Sequence, residues 1–265
     1  MQAISGKNVS AILTVTREIR FMAFHAAHSH VVQPRVTVSA MARVLLAVAL
    51  FSLPHITFAQ EPGEVLVRQR IANGVGGLSS GTLSSDDSFG KSITSIGDVN
   101  GDGVSDTLVG ATGDKDAGYY AGAVYVLFLN EDGTVKDQQK ITNGIGGLDL
   151  YTLSNNDFFG QSVTATGDID GDEVPDVLVG ARDAAYVLFL NRDGTVKDQQ
   201  KIADGVGGLD SGTLDSSDRF GVSAAAIGDL NGNGVADVLV GASDDNDGAE
   251  KAGAVYVLFL NEDGT

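Results

Sequence analysis

Three nine-residue loops of this 265-residue chain carry oxygen-bearing side chains at the same four positions. Positions 1, 3, 5 and 9 hold Asp or Asn in every copy, and a backbone carbonyl at position 7 can complete the coordination shell of a cation. The candidate ligands are, loop by loop, Asp98, Asn100, Asp102, Val104 and Asp106; Asp168, Asp170, Asp172, Val174 and Asp176; and Asp229, Asn231, Asn233, Val235 and Asp237. Six to eight oxygens at about 2.3–2.6 Å suit Ca²⁺, whereas Mg²⁺ prefers a tighter octahedron with retained water. The spacing therefore predicts up to three calcium sites.

The residues that follow the loops exclude an EF-hand. Position 12 is Val109, Val179 or Val240, where an EF-hand needs a bidentate glutamate, and an apolar strand follows instead of a helix. An acidic turn that hydrogen-bonds only its own backbone is the alternative interpretation. Three loops with one spacing and one downstream strand favour metal binding over that alternative.

The three predicted sites differ in charge. The first loop has three carboxylates and the second has four, but Glu173 replaces the position-6 glycine of the second. That replacement costs about 1 kcal/mol if the residue has a positive φ. The third loop has only Asp229 and Asp237 as charged ligands, so we expect it to bind calcium most weakly.

The loops belong to a unit that occurs three times, over about residues 89–141, 159–202 and 220–265. Each unit contains a Phe-Gly pair, the acidic loop, a Leu-Val-Gly-Ala segment and a Tyr-Val-Leu-Phe-Leu-Asn segment. The first two units end in Val-Lys-Asp-Gln-Gln-Lys-Ile. Short alternating or β-branched segments with glycine at the corners predict four antiparallel strands per unit. The predicted fold class is all-β, a partial β-propeller of three blades.

Residues 64–71 match the fourth strand of the later units and are predicted to form an unpaired outer strand, which makes twelve strands in all. Closed propellers have about 4–8 blades, so three blades do not close a ring. Either the sequence is a piece of a longer protein, or two chains associate toward a six-bladed ring. We favour the first alternative, because the third unit stops inside a turn and leaves a strand edge unpaired.

An export signal is predicted near the front of the chain. Met41-Ala42-Arg43 is followed by an apolar run of ten residues and by small residues before Gln60, which is typical of a signal peptide over residues 41–59. Ten residues are too few for a membrane span, which needs about 20. Residues 1–40 are interpreted as an upstream extension of doubtful relevance.

Charge and composition exclude several functions. The formal charge is −18, and after removal of residues 1–59 the remaining 12 basic and 34 acidic residues give −22, which disfavours nucleic acid as a partner. The chain has no Cys, which excludes disulfides, iron–sulfur clusters and thiolate zinc sites. All four histidines precede the predicted cleavage site, so the mature chain has no histidine base and we predict no enzymatic activity. These histidines are His25, His28, His30 and His55.

Two further acidic clusters lie in the connections between the second and third strands of units 1 and 3. They contain Asp114 and Asp116 in the first unit and Asp244, Asp245 and Asp247 in the third. No ligand spacing recurs in these connections, so we expect solvated loops rather than a second class of cation site.

The ordered motifs from residue 64 to residue 265 resemble the FG-GAP repeat of the integrin α-subunit β-propeller, especially that of microbial integrin-like proteins. The resemblance implies a seven-bladed propeller in a complete family member, with calcium in the hairpin between the first two strands of a blade. It also implies an extracellular adhesive or ligand-binding role. The proline of the family's Gly-Ala-Pro motif is replaced here by Thr112, Arg182 and Ser243.

These observations predict an exported, calcium-binding β-propeller module, secreted or at the cell surface, for adhesion or for binding a protein or glycan. One alternative is a purely structural segment of a larger extracellular protein. Another is the non-catalytic propeller of a secreted hydrolase. Additional blades or self-association would be needed to close the ring.

Overall fold

The computed structural model describes residue 65 and residues 67–265. The predicted signal peptide at 41–59 and the upstream extension at 1–40 lie outside these described residues. Within the described residues, no helix has the length and apolar character needed to cross a bilayer.

Eleven β-strands in this part of the chain form three antiparallel sheets, and the strands of each sheet follow one another in sequence. The first sheet contains β1 (Phe89–Gly97), β2 (Asp106–Ala111), β3 (Ala123–Leu129) and β4 (Val135–Ile141). The second contains β5 (Ser162–Gly167), β6 (Asp176–Ala181), β7 (Ala184–Leu190) and β8 (Val196–Ile202). The third contains β9 (Phe220–Gly228), β10 (Asp237–Ala242) and β11 (Ala254–Leu258).

This architecture confirms the predicted fold class, a partial β-propeller of three blades that do not close into a ring. Each blade is a meander of consecutive strands, as the period-2 and β-branched segments indicate. The phenylalanine of every Phe-Gly pair packs edge to face on the tyrosine in the third strand of its own blade, with ring centroids 5.6 Å apart in all three. The repeated motifs therefore produce repeated contacts.

The predicted outer strand at 64–71 is not a strand in the described residues of that segment, which are 65 and 67–71. A strand requires a neighbour to accept and donate its backbone hydrogen bonds. No third strand of a preceding blade is present beside this segment in the described part of the chain. The count there is therefore eleven strands instead of twelve.

The hydrophobic core lies between neighbouring blades. The apolar face of β3 packs against the second blade, and that of β7 packs against the third. The buried residues of these faces are Val124, Val126 and Phe128 in β3 and Ala185, Val187 and Phe189 in β7. The first and second blades thus each depend on the next one to bury a face of their third strand, as in other repeat folds.

Glycines at the blade junctions permit this close packing. Gly180 of β6 lies so near the third blade that a Cβ atom there would be 2.0 Å from the carbonyl oxygen of Gly221. Gly221 has a φ of 94°, and its carbonyl accepts a hydrogen bond of 2.8 Å from Ser162 Oγ. Gly110 and Gly160 form the same contact between the first two blades. The Phe-Gly and Val-Gly-Ala motifs therefore form the joints between blades.

We expect Gly180→Ala to lower the free energy of unfolding by about 1–3 kcal/mol, because the added methyl group must displace the Gly221 carbonyl. Urea unfolding followed by circular dichroism measures the change. Gly248→Ala is the matched control, since a Cβ there meets no atom within 4 Å. Equal stability of the two variants would contradict the role assigned to Gly180.

Candidate metal centres

The three acidic loops occupy equivalent places in the fold. Residues 98–106 connect β1 to β2, residues 168–176 connect β5 to β6, and residues 229–237 connect β9 to β10. The position-9 aspartate of each loop is the first residue of the second strand in its blade. All three loops therefore lie at the same edge of their blades.

The first aspartate of each loop organises the loop backbone. The carboxylate of Asp98 accepts hydrogen bonds from the amides of Gly101, Asp102 and Gly103, at 2.8, 2.9 and 2.7 Å. Asp168 and Asp229 accept the corresponding three bonds in the other loops. The backbone-bonded acidic turn is therefore present in all three loops, and it holds the position-1 carboxylate in one place.

The position-9 aspartate ties the loop to the third strand of the blade. Asp176 is fully buried, and it accepts hydrogen bonds from the amides of Ile169 at 2.9 Å and Leu190 at 3.0 Å. Asp106 and Asp237 make equivalent pairs of bonds. Burial raises the pKa of Asp176 to about 6 and also raises the pKa of Asp106. The loop spacing predicts these residues as ligands but does not reveal this structural role.

The second loop brings three carboxylates together. Asp168, Asp170 and Asp176 each offer one oxygen atom, and these oxygens lie within 4.8 Å of one another. No other group of three acidic, histidine or cysteine side chains converges in this way among the described residues. Asp172, the fourth predicted carboxylate of this loop, is not in the group, and one of its oxygens accepts the amide of Val174 at 2.8 Å.

The remaining predicted ligands make local hydrogen bonds. The position-3 side chains of Asn100 and Asn231 accept the amide of the residue at position 5, at 3.0 and 2.9 Å. The position-5 side chains of Asp102 and Asn233 accept the position-7 amides of Val104 and Val235, both at 2.9 Å. These bonds keep the polar side chains folded over their own loops.

Two lysines of the fourth strands, which the loop spacing did not predict, form contacts with the acidic loops. Lys136 of β4 forms an ion pair with Asp102, and Lys197 of β8 pairs with Asp172 and, at 2.7 Å, with Asp170. These contacts hold the pKa of Asp102 and of Asp172 below the usual range. The sequence feature that could have indicated these contacts is the repeated Val-Lys-Asp-Gln-Gln-Lys-Ile segment, because its first lysine is the residue that contacts the loop.

The third loop has no such ion pair among the described residues. The amide nitrogen of the Asn233 side chain donates instead to the carbonyl of Leu260 at 2.8 Å. At position 6, where the other loops have Gly103 and Gly234, Glu173 of the second loop has a φ of 67°, so the condition for the cost of replacing glycine is met. A side chain there is strained by about 1 kcal/mol relative to glycine.

The donor chemistry of the second loop fits a hard divalent cation. Its converging side chains are all carboxylates, and oxygen ligands of this kind are the preferred ligands of Ca²⁺. The loop backbone is already fixed by hydrogen bonds to Asp168, so a cation would meet a loop that needs little reorganisation.

The prediction of solvated acidic clusters is wrong for two residues. Asp114 and Asp245 are buried, whereas Asp116 is exposed. Asp114 Oδ2 accepts hydrogen bonds from Lys140 Nζ at 2.6 Å and from the Tyr125 hydroxyl at 3.2 Å. The sequence motif did not reveal these contacts, because the partners come from the third and fourth strands of the blade.

Comparison with known proteins finds similar sequences. A family model described as FG-GAP repeat matches residues 89–127, and one described as FG-GAP-like repeat matches residues 168–240. Integrin alpha-PS5 of Drosophila melanogaster is 33% identical over 176 residues, which are 64% of this chain and 16% of the relative. Integrin alpha ina-1 of Caenorhabditis elegans is 32% identical over 173 residues, 60% of this chain and 15% of the relative. Integrin alpha-3 of Cricetulus griseus is 38% identical over 104 residues, which are 39% of this chain and 9% of the relative.

The chain therefore spans less than a fifth of the length of these relatives. The two family-model matches together include all three acidic loops and the Phe-Gly pair of the first blade. The matched repeats, the similar integrin sequences and the three-bladed all-β architecture agree with one another. This chain contains FG-GAP repeats over residues 89–127 and 168–240 and is similar to integrin α subunits.

Proposed function

We propose that this chain is an exported, calcium-stabilised β-propeller module that binds a protein or glycan at the cell surface and has no catalytic activity. The observation that carries the proposal is the convergence of Asp168, Asp170 and Asp176 in a loop of a repeat shared with integrin α subunits. Similarity to integrins supports the adhesive, extracellular part of the proposal. The signal peptide proposed at 41–59 would supply the export.

In this proposal each loop holds one Ca²⁺ through its side chains at positions 1, 3, 5 and 9. The carbonyl of Val104, Val174 or Val235 would add a ligand at position 7 of the respective loop. The ion supplies positive charge that offsets the repulsion between neighbouring carboxylates and performs no reaction. Binding to the folded state alone stabilises it by RT ln(1 + [L]/Kd), about 2.7 kcal/mol at a hundredfold excess over Kd.

The class of ligand that we propose follows from the net charge of the chain. Its strong negative charge favours protein or glycan partners over nucleic acid. Screening the purified chain on protein and glycan arrays, with calcium and with EDTA, tests this proposal. Calcium-dependent binding supports it. Uniformly negative arrays would favour a structural segment of a larger extracellular protein.

We expect Asp170→Asn to weaken calcium binding at the second loop by roughly tenfold or more, because it removes one of three converging carboxylates. Asp170 accepts no loop amide in the structure, so its replacement leaves the turn intact. Isothermal titration with CaCl₂ measures the affinity.

Glu173→Gln is the matched control for this experiment. It removes one negative charge from the same loop, but Glu173 is exposed and stands outside the four ligand positions. If both variants weaken binding equally, loop charge rather than coordination explains the affinity. If the unmodified chain shows no heat and no calcium-dependent rise in Tm, the calcium proposal is wrong.

We expect Lys197→Met to tighten calcium binding by roughly tenfold, because the ammonium group pairs with two carboxylates that the ion would use. The measurement is the same titration. Lys201→Met is the control, since Lys201 lies on the same strand but faces the ring of Tyr186 at 5.6 Å. Unchanged affinity in Lys197→Met would show that the ion pair does not compete with calcium.

A further inference from the structure

Three aromatic side chains form a cluster on the surface where the first blade meets the second. Tyr119 and Tyr120 lie in the connection between β2 and β3, and Phe158 lies in the connection between β4 and β5. Tyr119 packs edge to face on Tyr120 with ring centroids 4.5 Å apart, and the centroids of Tyr120 and Phe158 are 5.8 Å apart. Tyr119 is 59% exposed, so this aromatic cluster presents a ring to solvent.

The fold does not require aromatic residues at these positions. In the third blade Lys251 stands where the first blade has Tyr120, and the two residues have the same left-handed φ, 51° and 52°. At the joint of the second and third blades Arg219 stands in the place of Phe158, with a φ of 56° against 52°. The repeat thus sets the backbone conformation and leaves the side chain free to vary. Exposed aromatic rings at such positions indicate an interaction site in a loop.

Backbone hydrogen bonds hold the aromatic cluster in one arrangement. The Tyr119 amide donates to Asn155 Oδ1 at 2.8 Å. The amides of Asn156 and Phe158 donate to the carbonyls of Tyr119 and Tyr120, at 2.8 and 3.1 Å. These bonds join the two connections that carry the rings. A ligand would therefore meet rings that are already in place, which lowers the entropic cost of binding.

The neighbouring blade has no loop of similar length beside the aromatic cluster. Residues 112–122 connect β2 to β3 in the first blade, whereas only residues 182–183 connect β6 to β7 in the second. A connection that short is a tight turn. The rings of the first blade are thus not covered by the corresponding connection of the second.

Charge around the aromatic cluster favours a neutral ligand. The ammonium group of Lys115 lies over the Tyr120 ring, 4.5 Å from its centroid, so the place that a cationic ligand would take on this ring is already occupied. A second cation there would be repelled by the ammonium group. An anionic ligand would be opposed by the formal charge of the chain, which is −18.

Hydrogen-bond donors stand beside the rings. Lys115 Nζ has three donor hydrogens and pairs with Asp86 at 3.5 Å. The side-chain amide nitrogen of Asn155 donates no hydrogen bond within the part of the chain that the structure describes, although its oxygen accepts from Tyr119. A sugar ring matches this combination, because its C–H groups can stack on an aromatic face while its hydroxyl oxygens accept hydrogen bonds.

We propose that the aromatic cluster is the binding site for a neutral glycan. One sugar ring stacks on the exposed ring of Tyr119, and Lys115 and Asn155 donate hydrogen bonds to its hydroxyl oxygens. The acidic loops lie at the other end of the second strands, so no calcium ion takes part in this contact. The inference rests on the proposed function, for which it specifies the class of ligand and the surface that binds it.

The first experiment probes an array of neutral and charged glycans with the full chain and with the double variant Tyr119→Glu/Tyr120→Lys, in calcium-containing buffer. The third blade has Glu250 and Lys251 at these positions, so the variant keeps the net charge and uses residues that the repeat accepts. We expect the full chain to bind neutral glycans. In isothermal titration, the variant should raise the Kd for the best of them roughly tenfold or more, with an unchanged Tm.

Tyr151→Ala is the matched control. Tyr151 is 85% exposed and packs against no other aromatic ring among the described residues, so its removal should leave the Kd unchanged. A glycan that binds the double variant as tightly as the full chain, or an equal loss in Tyr151→Ala, would overturn the inference and leave the proposed function standing. Binding of proteins but of no neutral glycan would have the same consequence, whereas negative protein and glycan arrays would contradict both.

The second experiment tests the role of Lys115 with tetramethylammonium as a cationic probe, followed by saturation-transfer NMR. We expect Lys115→Met to weaken neutral-glycan binding by roughly threefold or more and to allow the probe to bind, because the ring of Tyr120 then lacks its cation. Lys251→Met, which removes the same charge from the equivalent connection of the third blade, should change neither. Tighter binding of the probe than of any neutral glycan by the full chain would show a cationic ligand and overturn the inference.

Discussion

The third strands of the first and second blades, β3 and β7, each bury one apolar face against the blade that follows in the chain. This contact requires backbone to approach backbone at the joints, where Gly180 and Gly221 leave no space for a Cβ. The Phe-Gly pairs of the second and third blades lie at these joints, so the joints position the first strands of these two blades. The loops that follow the first strands are therefore displayed at a common edge, one per blade.

Negative charge at that edge is balanced by hydrogen bonds and by cations. The position-1 and position-9 aspartates accept hydrogen bonds from backbone amides. These bonds stabilise the carboxylate charge and determine the loop shape. The remaining carboxylates are Asp102 of the first loop and Asp170 and Asp172 of the second, and in both blades a lysine of the fourth strand pairs with them. In the proposed calcium sites, a lysine and a calcium ion would be alternative sources of positive charge for the same oxygens. The calcium affinity of a loop would then depend on the fourth strand of its blade as well as on its own residues.

The repeat made much of this fold predictable. Three copies of one motif order indicate the strands, the blade class and the place of each acidic loop. Contacts between distant residues were not predictable, because no local pattern encodes them. Lys136 lies 34 residues from Asp102, and Lys140, which pairs with the buried Asp114, lies 26 residues from it. No strand is assigned at 65 and 67–71, because a strand is defined by a paired neighbour, and the unpaired outer strand expected at 64–71 stays a prediction.

Lys136 and Lys197 also change how the three loops compare in net charge at their ligand positions. By ligand charge alone the third loop is the weakest, with two carboxylates against three in the first. The first loop, however, carries Lys136 against its position-5 carboxylate, so its net charge equals that of the third. The third loop has its two aspartates and no lysine paired with them among the described residues, and the second, with four carboxylates and one lysine, has the largest excess of negative charge at its ligand positions.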